Sequence, residues 1–148
     1  MIGAWGARYQ DVQLHSAGVP LAPLFHAEDA TRARMVVSWR NRTSTRAGDF
    51  VCHRGERTGY SCATVQLVDY APPGDLCAGP CPPTWVAVSG PQCRSGDSGG
   101  PVFLGSIAFG LVKAESARNG ICKLYYYMST DYLPPGWTLL YGRGAVVP

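Results

Sequence analysis

The six residues Gly96-Asp97-Ser98-Gly99-Gly100-Pro101 constrain this chain of 148 residues more than any other stretch. Glycines on both sides of the serine allow a tight bend and bring backbone N–H groups close to a bound carbonyl. A serine hydroxyl is a weak nucleophile near neutral pH, so a reactive serine needs a fixed turn, a base and oxyanion donors. Two interpretations follow: a nucleophile turn in which Ser98 attacks and the Gly96 and Ser98 amides bind the oxyanion, or a glycine-rich hairpin without chemistry.

The composition limits the fold class. The chain is 46% hydrophobic and only 16% charged, with 18 glycines and 12 prolines. A chain of this length can bury one hydrophobic core and is too short for two ordinary domains. A turn-rich composition with few charges is typical of an all-β protein. We therefore expect one β domain, or part of one.

The charge pattern does not favour a nucleic-acid partner. The formal net charge is +3, and the densest basic stretch, residues 32–46, contains Met35-Val36-Val37 and lacks an aromatic platform. No apolar run is long enough to span a membrane, and Met1–Gly6 lacks the features of a signal peptide. We expect neither a membrane partner nor a cofactor.

The six cysteines suggest disulfides. Three short pairings are predicted, although the count alone does not fix the connectivity: Cys52 with Cys62, Cys77 with Cys81, and Cys93 with Cys122. Disulfides would place the protein in an oxidising compartment, so we expect secretion. A zinc site at Cys77 and Cys81 lacks a second Cys/His pair, and no metal is expected.

Residues 49–68 carry a second motif, two strand-like runs joined by a Gly/Thr-rich loop with Cys52 and Cys62 near its ends. Together with the Ser98 turn, this motif resembles the chymotrypsin-like serine proteases, and most closely their α-lytic protease and streptogrisin branch. The resemblance covers about Tyr9 to Leu133. It implies an antiparallel β-barrel fold in which residues 28–148 form a complete second barrel. Residues 1–27 would be the end of a largely missing first barrel and its crossover linker.

The remaining elements are predicted from local patterns. Strands are expected within residues 7–14, 34–40, 84–88, 102–112 and 122–128. Residues 17–25, which contain two prolines, are predicted as an extended linker. A helical turn is expected at residues 28–34, and Pro134-Pro135 allows at most a short helical turn before it.

The resemblance also assigns catalytic roles. It implies that Ser98 is the nucleophile, that the Gly96 and Ser98 amides form the oxyanion hole, and that Asp11 is the acid that orients a histidine. The competing interpretation of Asp11 is a solvent-facing aspartate on a strand. The family places its histidine before that acid, but the ten residues preceding Asp11 contain none.

The three histidines of the chain all follow Asp11. His15 would share a strand face with Asp11 and is the candidate for a surrogate base. His26 lies in the linker and His53 in the cysteine hairpin, and both are expected at the surface. We also expect Asp97 to be buried beside the turn, with His53 or Arg54 as its partner.

Substrate binding is implied at two places. Cys93 and Cys122 would frame the primary pocket. Lys113, Ala114 and Glu115 replace the Ser-Gly-Gly strand that pairs with substrate in the resembling enzymes. Glu115 is expected either to narrow the pocket or to favour a basic substrate residue.

The resemblance implies a serine endopeptidase acting on polypeptides, in a chain truncated before its catalytic histidine. A His-bearing N-terminal half would then be the partner. The alternative is a non-catalytic, protease-like binding module.

Overall fold

The computed structural model describes residues 1–90 and 92–142. The end of the predicted second unit, residues 143–148, lies outside the described residues. The strands are β1 Gly3–Trp5, β2 Val12–Leu14, β3 Leu24–His26, β4 Ala33–Met35, β5 Ser38–Trp39, β6 Phe50–Gly55, β7 Gly59–Tyr70, β8 Trp85–Ser89, β9 Pro101–Leu104, β10 Ile107–Arg118 and β11 Ile121–Ser129. Two short 3₁₀ helices span Arg42–Ser44 and Thr130–Tyr132.

Six of these strands close into an antiparallel barrel. The hydrogen-bonded order is β11-β8-β7-β6-β9-β10, and β10 pairs again with β11 to complete the ring. Strand β5 adds a short parallel edge to β10. This confirms the predicted all-β class and a complete barrel. Among the described residues, no helix is long and apolar enough to cross a membrane.

Two small hairpins precede the barrel. Strand β1 pairs with β2, and β3 pairs with β4. The division into residues 1–27 and 28–148 stays a prediction, and the β3–β4 ladder joins residues on both sides of it. The expected helical turn at residues 28–34 is wrong. The Asp29 carboxylate instead accepts hydrogen bonds from the Thr31 hydroxyl and the Thr31 and Arg32 N–H groups, which fixes a non-helical turn.

From Tyr125 onward, strand β11 buries both of its faces. Tyr125 and Tyr127 point into the barrel interior, which is lined mainly by valines and Phe109. Tyr126, which lies between them, packs on the outside against a second cluster that includes Trp85 and Val12. Alternation along a strand sends neighbouring side chains to opposite faces, so three consecutive tyrosines serve two cores. The second core attaches the N-terminal β1–β2 hairpin to the barrel.

All three predicted disulfides are present. Cys52–Cys62 clips the β6–β7 hairpin across directly paired positions. Cys77–Cys81 closes the excursion between β7 and β8. Cys93–Cys122 ties the segment before the Ser98 turn to β11.

We expect the disulfides to contribute unequally to stability. Cys93 and Cys122 are separated by 29 positions, whereas Cys77 and Cys81 are separated by 4. Because a longer closed loop restricts the unfolded chain more, replacing Cys93 and Cys122 by serine should lower the free energy of unfolding by about 3–4 kcal/mol, against about 2 kcal/mol for the Cys77/Cys81 pair. Urea unfolding of the two double variants measures this difference. Equal losses would contradict it.

Candidate active site

The Ser98 turn is fastened to the barrel by backbone hydrogen bonds. The Gly99 N–H donates to the Val112 carbonyl at 2.7 Å, and the Val112 N–H donates to the Gly100 carbonyl at 2.9 Å. Gly96 has φ +106°, a left-handed conformation that a side chain would strain. Within residues 1–90 and 92–142, the Gly96 N–H, the Ser98 N–H and the Ser98 hydroxyl have no hydrogen-bond partner. The turn therefore presents two backbone donors and an exposed hydroxyl on a fixed support.

The buried carboxylate of Asp97 stabilises this turn from the protein interior. Asp97 is 2% exposed and accepts four hydrogen bonds, one each from the Arg94, Arg57 and Thr58 N–H groups and the Thr58 hydroxyl, at 2.8–3.1 Å. Burial alone raises the pKa of this carboxyl, but the bonds from Thr58, Arg94 and Arg57 outweigh it and hold the pKa below its ordinary value. A Cβ added at Gly55 would overlap the carboxylate, so the barrel wall leaves room for Asp97 only because residue 55 is glycine.

Neither of the expected partners forms an ion pair with Asp97 among the described residues. Arg54 instead donates to the Glu28 carbonyl. His53 is 1% exposed, so its predicted surface position is wrong. Its Nε2 lies 3.4 Å from the Thr58 hydroxyl, which in turn donates to Asp97 at 2.8 Å. Uncharged hydrogen-bond donors therefore stabilise the negative charge of the Asp97 carboxylate.

Burial also decides the charge of His53. Its ring packs against Tyr125, with ring centroids 4.5 Å apart. Loss of solvent lowers the pKa of His53 and outweighs the opposing attraction of Asp97. At neutral pH the ring is therefore uncharged where it lies between Tyr125 and the Thr58 hydroxyl.

Asp11 lies next to the strand that supports the Ser98 turn. Its N–H contacts the Met128 sulfur at 3.2 Å, and its carboxylate accepts a hydrogen bond from Lys113 Nζ at 2.8 Å. Lys113 directly follows Val112, which bonds Gly99 and Gly100. The structure thus connects Asp11 to the Ser98 turn through β10. Its role as the triad acid stays a prediction.

The structure brings His26, and not His15, to the depression that contains Ser98. His15 is exposed and contacts only the Gln13 side chain, at 3.3 Å. His26 lines the same depression as Ser98. It is placed there because Phe25 packs on Phe103 with ring centroids 4.8 Å apart. Phe25 is the single aromatic residue of the predicted linker, and it was the signal in the sequence that could have indicated this packing on the barrel.

The predicted substrate strand lies on β10, and its three side chains diverge. Lys113 reaches Asp11, Ala114 packs on the second core, and Glu115 lines a surface depression beside the turn. Their roles in substrate binding stay predictions.

Arg57 and Arg94 line the same surface depression as Glu115, and the sequence did not indicate a role for either. Their backbone N–H groups are among the donors to Asp97, and the stem of Arg57 lies so close to Gly96 that a Cβ there would be 2.7 Å from Cγ. The surroundings of Ser98 on this side are therefore of mixed charge.

Comparison with known proteins identifies the fold. No protein-family model matches the sequence, and no curated protein matches it. A solved glutamic acid specific serine protease matches with TM-score 0.65 and 21% identity over 79% of this chain. Cellulomonas bogoriensis chymotrypsin matches with TM-score 0.64 and 20% identity over 78% of it. The fold is chymotrypsin-like.

The similarity extends over only part of these structures. This chain spans 58% of the length of the glutamic acid specific protease and 59% of the Cellulomonas bogoriensis enzyme. Thermobifida fusca protease A matches with TM-score 0.59 and 21% identity, over 73% of this chain and 54% of that one. At such identities the likeness establishes the chymotrypsin-like fold.

The buried His53 predicts a pH dependence of stability. Its pKa in the folded chain lies below the ordinary 6.5. As the pH falls below that value, the unfolded chain binds a proton at residue 53 that the folded chain does not. The free energy of unfolding therefore decreases with falling pH, with a slope from this group of at most about 1.4 kcal/mol per pH unit, and recovers above the ordinary pKa.

Urea unfolding between about pH 5 and 7.5 measures this slope. We expect His53→Gln to flatten it, because glutamine does not titrate and can still hydrogen-bond Thr58. The matched control His15→Gln changes an exposed ring and should keep the slope of the unaltered chain. An unchanged slope in His53→Gln would contradict the assignment.

Proposed function

We propose that this chain carries the nucleophile portion of a serine endopeptidase. The observation that supports this function best is the Ser98 turn, in which one hydroxyl and two N–H groups without a partner among the described residues flank a buried Asp97 that accepts four hydrogen bonds. Preorganised donors of this kind stabilise the negative charge that develops on a carbonyl oxygen during acyl transfer. A binding module has no physical need for this combination.

The proposed reaction proceeds through an acyl-enzyme. The Ser98 oxygen forms a bond to the peptide carbonyl carbon while its proton passes to a histidine nitrogen. The carbonyl π electrons move to the oxygen, which accepts hydrogen bonds from the Gly96 and Ser98 N–H groups. The C–N bond then breaks as the imidazolium gives its proton to the leaving amine, and water releases the acyl group by the same steps.

Asp11 would orient that histidine. Because no histidine precedes Asp11 in this sequence, we infer that a His-bearing N-terminal half supplies the ring. The open Ser98 turn alone would retain a small part of the catalysis, roughly 10³–10⁴-fold over water.

The proposed substrates are polypeptides, bound in part along residues 113–115 of β10. Of the structures with the same fold, one is described as a glutamic acid specific serine protease, one as a chymotrypsin and one as a protease. We further propose that the protein is secreted, since three disulfides persist in an oxidising environment.

A non-catalytic, protease-like binding module is the second candidate function. It is favoured by one observation: within the described part of the chain, the Asp11 carboxylate is bonded by a lysine and by no histidine. In that case the Ser98 turn would be retained for structure, and the serine would be unreactive.

Labelling with a fluorophosphonate, with imidazole as an added base, distinguishes the two functions. In this reaction the Ser98 oxygen bonds to phosphorus, fluoride leaves, and imidazole accepts the serine proton. We expect slow labelling alone, faster labelling as imidazole is added, and none in Ser98→Ala. His26→Ala should keep the imidazole-dependent rate, since imidazole replaces any ring of the chain.

The absence of labelling at Ser98 is the result that contradicts the endopeptidase proposal. If the chain remains folded by circular dichroism but Ser98 is not labelled at any imidazole concentration, the endopeptidase proposal is wrong and the binding module is favoured. Peptide mapping of the labelled chain checks that the adduct lies on residue 98.

A further inference from the structure

Lys113 occupies an unusual place on β10. Val112 pairs with Tyr127 and Ala114 with Tyr126, so Lys113 lies in a bulge between successive pairs of the β10–β11 ladder. A bulge re-aims the side chain of its extra residue. The side chain of Lys113 is only 8% exposed, and its Nζ lies 5.0 Å from the centre of the Trp85 ring. A lysine that is so buried needs a partner for its charge.

That partner is Asp11, which lies 102 positions away along the chain. Lys113 Nζ donates to Asp11 Oδ2 at 2.8 Å, while the Asp11 side chain remains 46% exposed. Among residues 1–90 and 92–142, no donor reaches the second oxygen, Oδ1. One oxygen of the carboxylate is thus fixed, and the other is free for a further N–H group.

We propose that Lys113 is a positioning residue, which fixes Oδ2 of Asp11 so that Oδ1 accepts the N–H of the histidine ring and which offsets the charge of the carboxylate. This inference rests on the proposed function, because it assumes that Asp11 orients a ring beside Ser98. The new element is that Asp11 would orient the ring while it is paired with Lys113.

The ion pair has a consequence for the working pH. A lone carboxylate favours the protonated ring and so keeps it from acting as a base until the pH is high. The positive charge of Lys113 opposes that effect, so the ring loses its proton at lower pH. The Lys113–Asp11 pair therefore favours activity in the more acidic part of the pH range.

Other charged or titratable groups near the pair do not cancel this effect. Tyr126 of β11 packs beside it, and burial, with the nearby Tyr70 and the charges of Glu115 and Asp11, raises the pKa of Tyr126, which keeps the phenol neutral. Glu115, two positions along β10, carries the same charge in every variant described below. Trp85 on β8 does not titrate.

Imidazole-dependent labelling of Ser98 by the fluorophosphonate tests the inference. The rate is measured against pH at constant ionic strength and at imidazole concentrations that saturate it, so that the profile reports the bound ring. We expect Lys113→Met to move the midpoint upward by about 0.5–1 pH unit, because the carboxylate then acts unopposed. Methionine packs well against Trp85, so the variant should fold.

Three further variants complete the test. Lys113→Arg keeps the charge and should restore the midpoint of the unaltered chain. Lys123→Met removes an exposed lysine of β11 and should change neither rate nor midpoint. Asp11→Asn should lose most of the imidazole-dependent rate, because the ring is no longer oriented.

The outcomes separate this inference from the proposed function. Labelling of Ser98 with the same midpoint in Lys113→Met and in the unaltered chain would overturn the role of Lys113 and leave the endopeptidase proposal intact. Absence of Ser98 labelling in the unaltered chain at every imidazole concentration would overturn both.

Discussion

The four hydrogen bonds to the Asp97 carboxylate are the constraint on which the Ser98 turn depends. A buried carboxylate is costly unless donors compensate for the lost water. Here the donors come from the β6–β7 connection, through Arg57 and Thr58, and from the segment before the turn, through Arg94. The same bonds that stabilise the charge therefore join two parts of the chain that flank Ser98.

The barrel provides the support that these bonds require. Strand β10 carries Val112, which holds Gly99 and Gly100 by two backbone hydrogen bonds. One residue further on, Lys113 connects the same strand to Asp11 and hence to the N-terminal hairpin. One strand thus fixes the Ser98 turn through Val112 and the candidate acid, Asp11, through Lys113.

Local patterns were sufficient to predict much of this structure. The cysteine hairpin and the Ser98 turn carried the family resemblance that implied the chymotrypsin-like barrel, and pairing cysteines that follow one another along the chain predicted all three disulfides. Long-range contacts were not predictable. Lys113 was interpreted only as a substrate-strand residue, because its ion pair joins positions 102 apart. His53 was expected at the surface, yet three consecutive residues of β6, Val51, Cys52 and His53, are buried where β6 pairs with both β7 and β9.

A crystal structure of the chain with a phosphonate bound covalently to Ser98 tests the central claim most directly. The account predicts that a phosphonyl oxygen lies within about 2.7–3.1 Å of both the Gly96 and Ser98 nitrogens. It also predicts that the four hydrogen bonds to Asp97 remain as they are in the free chain. A phosphonyl oxygen directed to solvent, or a turn that rearranges and releases Asp97, would show that the donors are not preorganised and would contradict the account.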